Sequence, residues 1–558
     1  MASPFVSSVC ISAALPLVFY FLVMSYYGVP TSNAMYFLDF VTLAYLSSIF
    51  MLAQKNERLG IVPFVIAVSV ILWSASYKYV LMGLWVRFAD FSIVDEAWQV
   101  LSLPLQLGVL SLAAVTVGVS LYNLRAPSLT RLGVFLMPAV VAVTVSFAFP
   151  SAVVTFLRST THALYGNDPL YRSVPFAVGF DVLERWRFER QAQAILSRAP
   201  ENPSATFTTD GIENKRNVHM FVMESLMDPS ILGIPLPVDP VDLRFRQSIG
   251  GSAVAPVLAG RSAQSEFELL CGTPVYDFLD PVTFNDLRGG PIPCLPRVLS
   301  EAGYVTLSST DVRPNFFNAL EAYRSLGFSR MHFRGDLPTN DLDGGWVSAD
   351  AQIAFNKELI QPLIETERPF FNYIFFTTGH IPYALNPEKR PHVIETSSTE
   401  EVTRFVNSIH YNTRSVADYI EYLSEVDPDA IIVVVGDHQG TLPSIDRAHS
   451  GAGKFDRYIT PYIFVDSGRV RFYGDLPHYE LPHVVIASLA ETEFIPLAQT
   501  YGFDLIRPLN ATSFYGVNDD VGICPNTTGV GCQGVDEFRS ATIARWLRLI
   551  QQSQQGVE

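Results

Sequence analysis

AIIVVVGDH, residues 430–438, is the segment that decides the fold class, because a run of β-branched residues leads through Gly436 into an adjacent carboxylate and imidazole, Asp437 and His438. Apolar residues that are continuous rather than alternating indicate a strand buried on both faces. Such strands form parallel sheets covered by helices, and functional side chains gather at the carboxyl ends of the strands. Asp437 and His438 are therefore candidates for half of a metal site.

Strands of the same kind recur from residue 216 onwards. They read NVHMFVME (217–224), RPFFNYIFFTTGH (368–380) and TPYIFVDS (460–467), and a helix followed by a strand is predicted within 293–310. Short apolar strands that alternate with helical stretches are typical of an α/β domain. We predict a mostly parallel sheet sandwiched by helices.

Polar residues stand at the ends of three of these predicted strands. Glu224 ends the first, His380 follows the second, and Asp437 and His438 follow the strand at 430–436. A carboxylate directly after several apolar residues is costly to bury without a partner. Three ends of one sheet with this arrangement favour a metal site, and carboxylates with an imidazole suit Mn²⁺, Mg²⁺ or Zn²⁺.

A candidate nucleophile lies in LAGRSAQSEFELLCG (258–272), a glycine-flanked loop predicted to open a helix at Ser262. Unpaired N–H groups and a positive dipole at a helix N-terminus favour a phosphate and a deprotonated hydroxyl. Alternatively, Ser262 or Ser265 caps the helix, and Glu266 or Glu268 completes a capping box. The polar strand ends favour Ser262 as the nucleophile.

Apolar segments of membrane-spanning length occupy the first 157 residues. The chain of 558 residues is 49% hydrophobic and only 16% charged. Each segment is close to the roughly 17–25 residues that a spanning helix needs, so we predict a five-helix N-terminal transmembrane bundle. The segments are about 8–28, 36–53, 61–85, 98–122 and 132–157.

The charges of the short loops predict the orientation. The second loop, QKNERLG (54–60), and the fourth, NLRAPSLTR (123–131), each contain two basic residues, whereas the first loop contains none. Positive loops stay cytoplasmic, so the N-terminus is predicted to be inside. After five spans the remainder lies outside, which is typical of a multi-pass protein of a bacterial inner (cytoplasmic) membrane with a periplasmic or extracytoplasmic domain.

The predicted domains are a transmembrane domain at 1–157, a juxtamembrane amphipathic connector at 158–215 and an extracytoplasmic catalytic domain at 216–558. Within the connector, residues 180–199 have apolar residues at helical spacing with arginines on the other face. This pattern is typical of a helix on the membrane surface and equally of an ordinary packing helix.

Four of the five cysteines fall in the part predicted to be exported. An even number in an oxidising compartment suggests two disulfides, most simply Cys271–Cys294 and Cys524–Cys532, although other pairings and free thiols stay open. The net charge is −16 and no basic run occurs, so nucleic acid is not an expected partner. The sequence does not indicate an oligomeric state.

Together these motifs resemble the alkaline phosphatase/sulfatase superfamily, and within it the lipoteichoic acid synthases and the phosphoglycerol transferases that decorate periplasmic glucans. The resemblance rests on the five spans, VMES (222–225), GRSAQSEFELLCG (260–272), TTGHIPY (377–383) and GDHQG (436–440). It implies one divalent metal, usually Mn²⁺ or Mg²⁺, Ser262 as nucleophile, and His380 in contact with the phosphate or leaving group. The implied metal ligands are Glu224, Ser262, Asp437 and His438.

The segment SSTDVRPNFFNALEAYRSLGF (308–328) departs from that branch. Lipoteichoic acid synthases carry a His, a Trp and an Arg there that hold glycerol phosphate, whereas this chain has Thr310 or Asp311, Phe317 and Ala319 at about those positions. The expected substrate-binding residues are Arg313, as a replacement charge, Phe317, Asp311 and, from the acidic segment 337–350, Trp346.

The resemblance implies transfer of a phosphoglycerol head group from a phosphatidylglycerol-like lipid to an envelope or periplasmic glycan through a covalent Ser262 intermediate. A phosphoethanolamine transferase is the main alternative, followed by a phosphodiesterase and an inactive scaffold. A sulfatase is disfavoured because it needs C/S-x-P-x-R, and the sequence at Ser262 reads SAQSE.

Overall fold

The computed structural model describes residues 4–26, 33–82, 86, 88–94, 98, 103–149, 152–153, 174–198, 207–209, 211–275, 282–442, 458–501 and 530–555. The chain divides into two compact units, Met1–Gln191 and Ala192–Glu558. This division falls inside the helix Val174–Arg198, which contains most of the amphipathic stretch predicted at 180–199. The domain boundaries predicted at 157/158 and 215/216 stay predictions.

The first unit is helical. In the described residues, four of its helices are long and apolar enough to cross a membrane, with bounds 4–26, 57–78, 103–122 and 129–148. The second predicted span falls in a helix whose apolar part within the described residues, Asp39–Leu52, is shorter than the other four. A fifth span stays a prediction. The helices are α1 Pro4–Tyr26, α2 Asn33–Leu52, α3 Glu57–Met82, α4 Leu103–Tyr122, α5 Leu129–Ala148 and α6 Val174–Arg198.

The second and fourth loops meet at one end of these helices. The Lys55 N–H donates to the Asn123 carbonyl over 2.7 Å, and the Arg125 N–H donates to the Ala53 carbonyl over 2.8 Å. The side-chain amide of Asn123 also donates to Gln54 Oε1 over 3.0 Å. The two positively charged loops therefore lie on the same side of the helices, as the charge rule requires.

The second unit contains one large sheet in the order β11-β2-β9-β8-β1-β7-β3-β4, and β10 pairs with β9. The strands from β8 to β4 run parallel, whereas β9 is antiparallel to β8 and to β2. A separate two-stranded antiparallel sheet, a hairpin, is formed by β5 and β6. The strands are β1 Val218–Met223, β2 Ile249–Val254, β3 Val305–Thr310, β4 Arg330–His332, β5 Leu342–Asp343, β6 Trp346–Val347, β7 Phe370–Phe376, β8 Ile431–Gly436, β9 Ile459–Asp466, β10 Arg469–Val470 and β11 Leu476–Pro477.

The expected α/β domain is confirmed as a mixed sheet with a parallel centre. Each residue of β1, β7 and β8 is buried, as their mostly apolar pattern predicts, and each residue of β3 is buried as well, although four of its six are serine or threonine. The predicted strand at 460–467 exists, but it runs antiparallel to its neighbours. One strand's residues report its burial and not its direction, because direction depends on the connection that precedes it.

Helices cover the sheet. The longest that the structure describes, α12 (Glu400–Val426), follows Thr399, whose side chain accepts from the Val402 N–H. Glu400 and Glu401 place negative charge at the positive N-terminal end of this helix. Its Tyr419 ring stacks on Phe221 of β1 with 5.2 Å between centroids. Burying each such ring contributes on the order of 2–3 kcal/mol.

The helices of this unit are α7 Leu243–Gln247, α8 Ser262–Cys271, α9 Leu295–Glu301, α10 Ala319–Leu326, α11 Ala349–Glu365, α12 Glu400–Val426, α13 Leu481–Leu489 and α14 Val530–Gln555. Short 3₁₀ helices occur at Phe88–Ile93, Pro229–Leu232, Thr283–Asp286, Phe316–Asn318, His478–Glu480 and Gln499–Tyr501.

A disulfide joins two of these helices. Cys271, the last residue of α8, is bonded to Cys294, which directly precedes α9. Both cysteines are buried. The other predicted pair cannot be placed: Cys524 and the side chain of Cys532 lie outside the described residues.

Candidate functional site: a carboxylate–histidine cluster with a serine

The candidate site lies where neighbouring parallel strands end. Met223, the last residue of β1, is in register with Phe376 of β7 on one side and Gly436 of β8 on the other. Glu224 therefore follows β1 at the same edge of the sheet where Asp437 follows β8. A Cβ at Gly436 would lie 2.5 Å from the Leu226 carbonyl oxygen, so this close approach of the two strand ends requires glycine.

Glu224, Asp437 and His438 form a buried cluster whose ligand atoms all lie within 4.8 Å of one another. His438 Nε2 is 3.2 Å from Asp437 Oδ2 and 3.7 Å from Glu224 Oε1. The backbone holds Asp437 in place, because the N–H groups of Ser225 and His438 donate to its Oδ1 over 2.8 and 2.7 Å. The other ring nitrogen of His438, Nδ1, lies 2.9 Å from the Gln439 carbonyl oxygen, which leaves Nε2 for a ligand.

The chemistry of this cluster fits a divalent cation. Asp437 Oδ2 is buried, and no donor in the described part of the chain bonds to it. Burial and the charge of Glu224 raise the pKa of Asp437 to about 7. Burial lowers the pKa of His438, but the nearby Asp437 and Glu224 outweigh it and raise that pKa overall. A cation would relieve the repulsion between the carboxylates and occupy the free oxygen; the donor set suits Mn²⁺, Mg²⁺ or Zn²⁺.

Ser262 joins the same cluster. Its Oγ is 3.3 Å from Glu224 Oε2 and 3.4 Å from His438 Nε2. Ser262 is the first residue of α8, and Arg261 before it adopts a left-handed conformation, with φ of 56°, that turns the chain into the helix. Further along α8, Ser265 Oγ donates to the Asp437 carbonyl over 2.6 Å and ties this helix to β8.

The alternative of a capping box does not describe this helix. The residue before α8 is Arg261, and its side chain forms no capping bond with the described backbone. Glu266 instead accepts from the hydroxyls of Tyr323 and Tyr373 over 2.5 and 2.8 Å. Glu268 accepts from the Val275 N–H over 3.0 Å. Both glutamates brace α8 from within the protein.

The shifted pKa values of buried groups determine how the free energy of unfolding depends on pH. Burial raises the pKa of Glu266 to about 7, of Asp437 to about 7 and of Glu480 to about 8. These groups keep their protons in the folded chain at a pH where the unfolded chain has lost them, so their contribution falls as pH rises. Burial lowers the pKa of His478 to about 3 and of His483 to about 4. These two histidines make the folded chain more stable as pH rises, but only up to about pH 6.5, the ordinary pKa of histidine in the unfolded chain.

Without divalent ions, we therefore expect the free energy of unfolding to decrease between about pH 6.5 and pH 8. Urea unfolding of the solubilised chain in chelator at several pH values measures this. Glu266→Gln should make the slope shallower, because one of the raised groups is removed. Added Mn²⁺ should also make the slope shallower, because a bound cation favours the ionised form of Asp437 in the folded chain. A free energy that rises over this pH range would contradict the expectation.

A second cluster adjoins the first and contains several predicted residues. His380 is half-buried, and its ring lies 5.4 Å from that of Trp346. The Arg334 guanidinium lies 5.4 Å from the centroid of the Trp346 ring, and its Nε is 3.8 Å from Asp311 Oδ1. Asp311 is buried, and its Oδ2 accepts from the Val347 N–H. Three predicted residues thus meet around Arg334, which the sequence did not single out.

The other two predicted substrate-binding residues are placed differently. Arg313 is exposed, and its carbonyl accepts from the Phe316 N–H. Phe317 is half-buried, in a left-handed conformation with φ of 46°, and its ring contacts Phe316. Arg334 lies in a loop after the three-residue strand β4, where neither periodicity nor a motif marks it, so no signal in the sequence identified it.

Comparisons with known proteins agree with this geometry. Residues 245–471 match the family model named Sulfatase, and this range includes Ser262, Asp437 and His438. A putative cyclic beta-1,2-glucan modification protein of Rhizobium meliloti is 27% identical over 265 residues, 46% of this chain and 40% of that protein. A lipoteichoic acid synthase of Staphylococcus saprophyticus is 23% identical over 232 residues, 40% of this chain and 34% of that protein.

The matches thus span two fifths or less of the length of these curated relatives. Among solved structures, the lipooligosaccharide phosphoethanolamine transferase A of Neisseria meningitidis aligns with a TM-score of 0.48 and 12% identity, covering 89% of this chain and 97% of that one. Ser262, Asp437 and His438 of the strand-end cluster thus lie in the part of the chain, residues 245–471, that is similar to the Sulfatase family.

Proposed function

We propose that the chain is a metal-dependent phosphotransferase that moves a phosphoglycerol head group from a phosphatidylglycerol-like lipid to an envelope or periplasmic glycan. The observation that carries the proposal is the position of Ser262 Oγ, 3.3 Å from Glu224 and 3.4 Å from His438 in a buried carboxylate–histidine cluster. A hydroxyl in that place is suited to act as a nucleophile on phosphorus.

A divalent cation held by Glu224, Asp437 and His438 would lower the pKa of the Ser262 hydroxyl and share the charge that develops on the phosphate. Ser262 Oγ attacks the lipid phosphorus while its proton leaves along the hydrogen bond to Glu224. The bond from phosphorus to the diacylglycerol oxygen breaks, and that oxygen takes up a proton, for which His380 is the candidate donor. The head group stays on Ser262 as a phosphodiester.

The second step restores the enzyme. A hydroxyl of the acceptor glycan attacks the same phosphorus and loses its proton to His380, which the first step left as a base. The bond from phosphorus to Ser262 Oγ breaks, and that oxygen takes back the proton held by Glu224. The names of the relatives support acceptors of this kind, since one modifies a cyclic glucan and the other makes lipoteichoic acid. The helices of the first unit support a lipid donor, because they would hold the chain at a membrane.

The proposed location is the bacterial cytoplasmic membrane, with the catalytic domain outside. The shared side of the two positively charged loops supports a cytoplasmic end for that side of the bundle. The external placement of the second unit further requires that α2 also crosses the bilayer, since an odd number of spans is needed.

One experiment tests the reaction and the head group together. The purified full chain is incubated with Mn²⁺ and vesicles of either phosphatidylglycerol or phosphatidylethanolamine, and the peptide that contains Ser262 is analysed by mass spectrometry. We expect a glycerol phosphate adduct with phosphatidylglycerol. An ethanolamine phosphate adduct alone would show the alternative transferase. When an acceptor glycan is added, free diacylglycerol with hydrolysed head group and no transfer to the glycan would indicate a phosphodiesterase.

A further inference from the structure

The cluster around Arg334 is built as a rigid surface next to the proposed metal site. We call Arg334, Trp346 and His380 the arginine platform. Arg334 Nη2 donates to the Gly345 carbonyl, and its guanidinium lies against the Trp346 ring, which in turn contacts His380. About a third of the Arg334 side chain, 36%, is exposed, whereas Asp311 behind it is fully buried.

The platform is attached directly to the candidate metal site. The Glu224 N–H donates to the Phe376 carbonyl over 3.0 Å, so the end of β7 continues beside the first ligand. Gly379, immediately before His380, has φ of 104°, and a Cβ there would lie 2.7 Å from the Glu224 carbonyl oxygen. Neighbouring strands are about 5 Å apart, so His380 lies roughly one strand from Glu224 and Asp311 two strands away.

Two buried contacts fix the orientation of the platform. Asp311, which follows β3, accepts from the Val347 N–H and faces Arg334. On the other side of the hairpin, Asp343 accepts from Arg390 Nε over 2.9 Å and from the Asn386 N–H over 2.8 Å. The hairpin that carries Trp346 is therefore held from both ends.

We propose that Arg334 binds the phosphate of the donor head group, with Trp346 covering its glycerol carbons, so that Arg334 takes the role that the sequence suggested for Arg313. This inference rests on the proposed function. A guanidinium stays charged at every relevant pH and can present paired donors to a phosphate. Asp311 at 3.8 Å orients Arg334 without a close ion pair, and the single bond to Gly345 leaves other N–H donors for a ligand.

The test compares Arg334→Gln and Arg334→Lys with Arg330→Gln, an exposed arginine on β4 that precedes the platform. With phosphatidylglycerol vesicles and Mn²⁺, we expect Arg334→Gln to raise the donor KM by about 10- to 100-fold, because a charge-assisted phosphate contact is lost, while kcat changes little. Arg334→Lys should lie between, and Arg330→Gln should match the unaltered chain. Calorimetry with Mn²⁺ checks that each variant retains the metal site.

A binding measurement separates this inference from the proposed function. Calorimetry with glycerol 3-phosphate in the presence of Mn²⁺ should show binding to the unaltered chain and about tenfold or weaker binding to Arg334→Gln. If the unaltered chain forms no Ser262 adduct with any lipid yet this difference persists, the transfer reaction is wrong and the anion site stands. If Arg334→Gln keeps the donor KM and the glycerol 3-phosphate affinity, or if Arg313→Gln alone weakens both, the inference is overturned.

Discussion

Ser262→Ala is expected to abolish both the Ser262 adduct and head-group transfer, lowering the transfer rate by roughly 10⁴-fold or more. The reason is the position of the hydroxyl, which lies within 3.4 Å of both Glu224 and His438 and is the group that forms the new bond to phosphorus. Release of labelled diacylglycerol from phosphatidylglycerol vesicles, together with transfer of labelled head group to a glycan, measures the loss.

Ser265→Ala is the matched control, because it removes a hydroxyl from the same helix one turn further on. Its Oγ contacts the Asp437 carbonyl and no reacting group, so we expect the adduct to form at a rate lowered by no more than about tenfold. Ser262→Thr should keep part of the activity, since a hydroxyl remains. Transfer by Ser262→Ala at the rate of the unaltered chain would show that another group is the nucleophile.

Asp437→Asn is expected to have opposite effects on metal binding and on the stability of the metal-free chain. Manganese affinity should fall by at least about 100-fold, because a central carboxylate ligand becomes a neutral amide. Without metal, however, the variant should unfold at a higher urea concentration near pH 8. Burial and Glu224 raise the pKa of Asp437 to about 7, so its ionised form is unfavourable in the folded chain and the amide removes that cost, on the order of a few kcal/mol.

The amide preserves the local geometry, because Asn Oδ1 accepts the same N–H groups of Ser225 and His438. Asp466→Asn is the control at the opposite end of β8, where Asp466 pairs with Arg216. It should lower stability and leave manganese affinity unchanged. Calorimetry with Mn²⁺ and urea unfolding in chelator give the two quantities. Unchanged manganese affinity in Asp437→Asn would remove Asp437 from the proposed ligand set.

The polar residues at the strand ends were predictable, because a buried strand can be recognised from its apolar run and the charged residue that follows the run marks the end of the strand. Continuous apolar runs identified β1, β7 and β8, and a carboxylate directly after such a run has few acceptable environments other than a polar site. The order in which these strands lie in the sheet could not be predicted from the sequence. That Glu224 lies between Asp437 and His380 follows from β1 pairing with both β8 and β7, a long-range arrangement that no local pattern encodes.

The arginine platform and the membrane segments show where sequence patterns carry less information. Arg334 and Trp346 come from a loop and a two-residue strand, and their proximity depends on how Asp311 accepts from Val347, which only the folded chain defines. Arg313 was predicted as a replacement charge within the segment 308–328, yet it is exposed. In α2, the apolar composition predicted a span, and the apolar part in the described residues, Asp39–Leu52, is shorter than the four other candidate spans.

Trp346 lies on an element that can be changed separately from the strand ends that carry the proposed metal ligands. The ligands of the proposed metal site come from ends of central strands, where Gly436 and Gly379 leave no room for even a methyl group. Trp346, by contrast, belongs to a small hairpin outside the main sheet, anchored by Asp311 and by the bond between Asp343 and Arg390. Exchanging this hairpin is therefore a route by which an engineer can retarget the scaffold to a new head group without rebuilding its reactive centre.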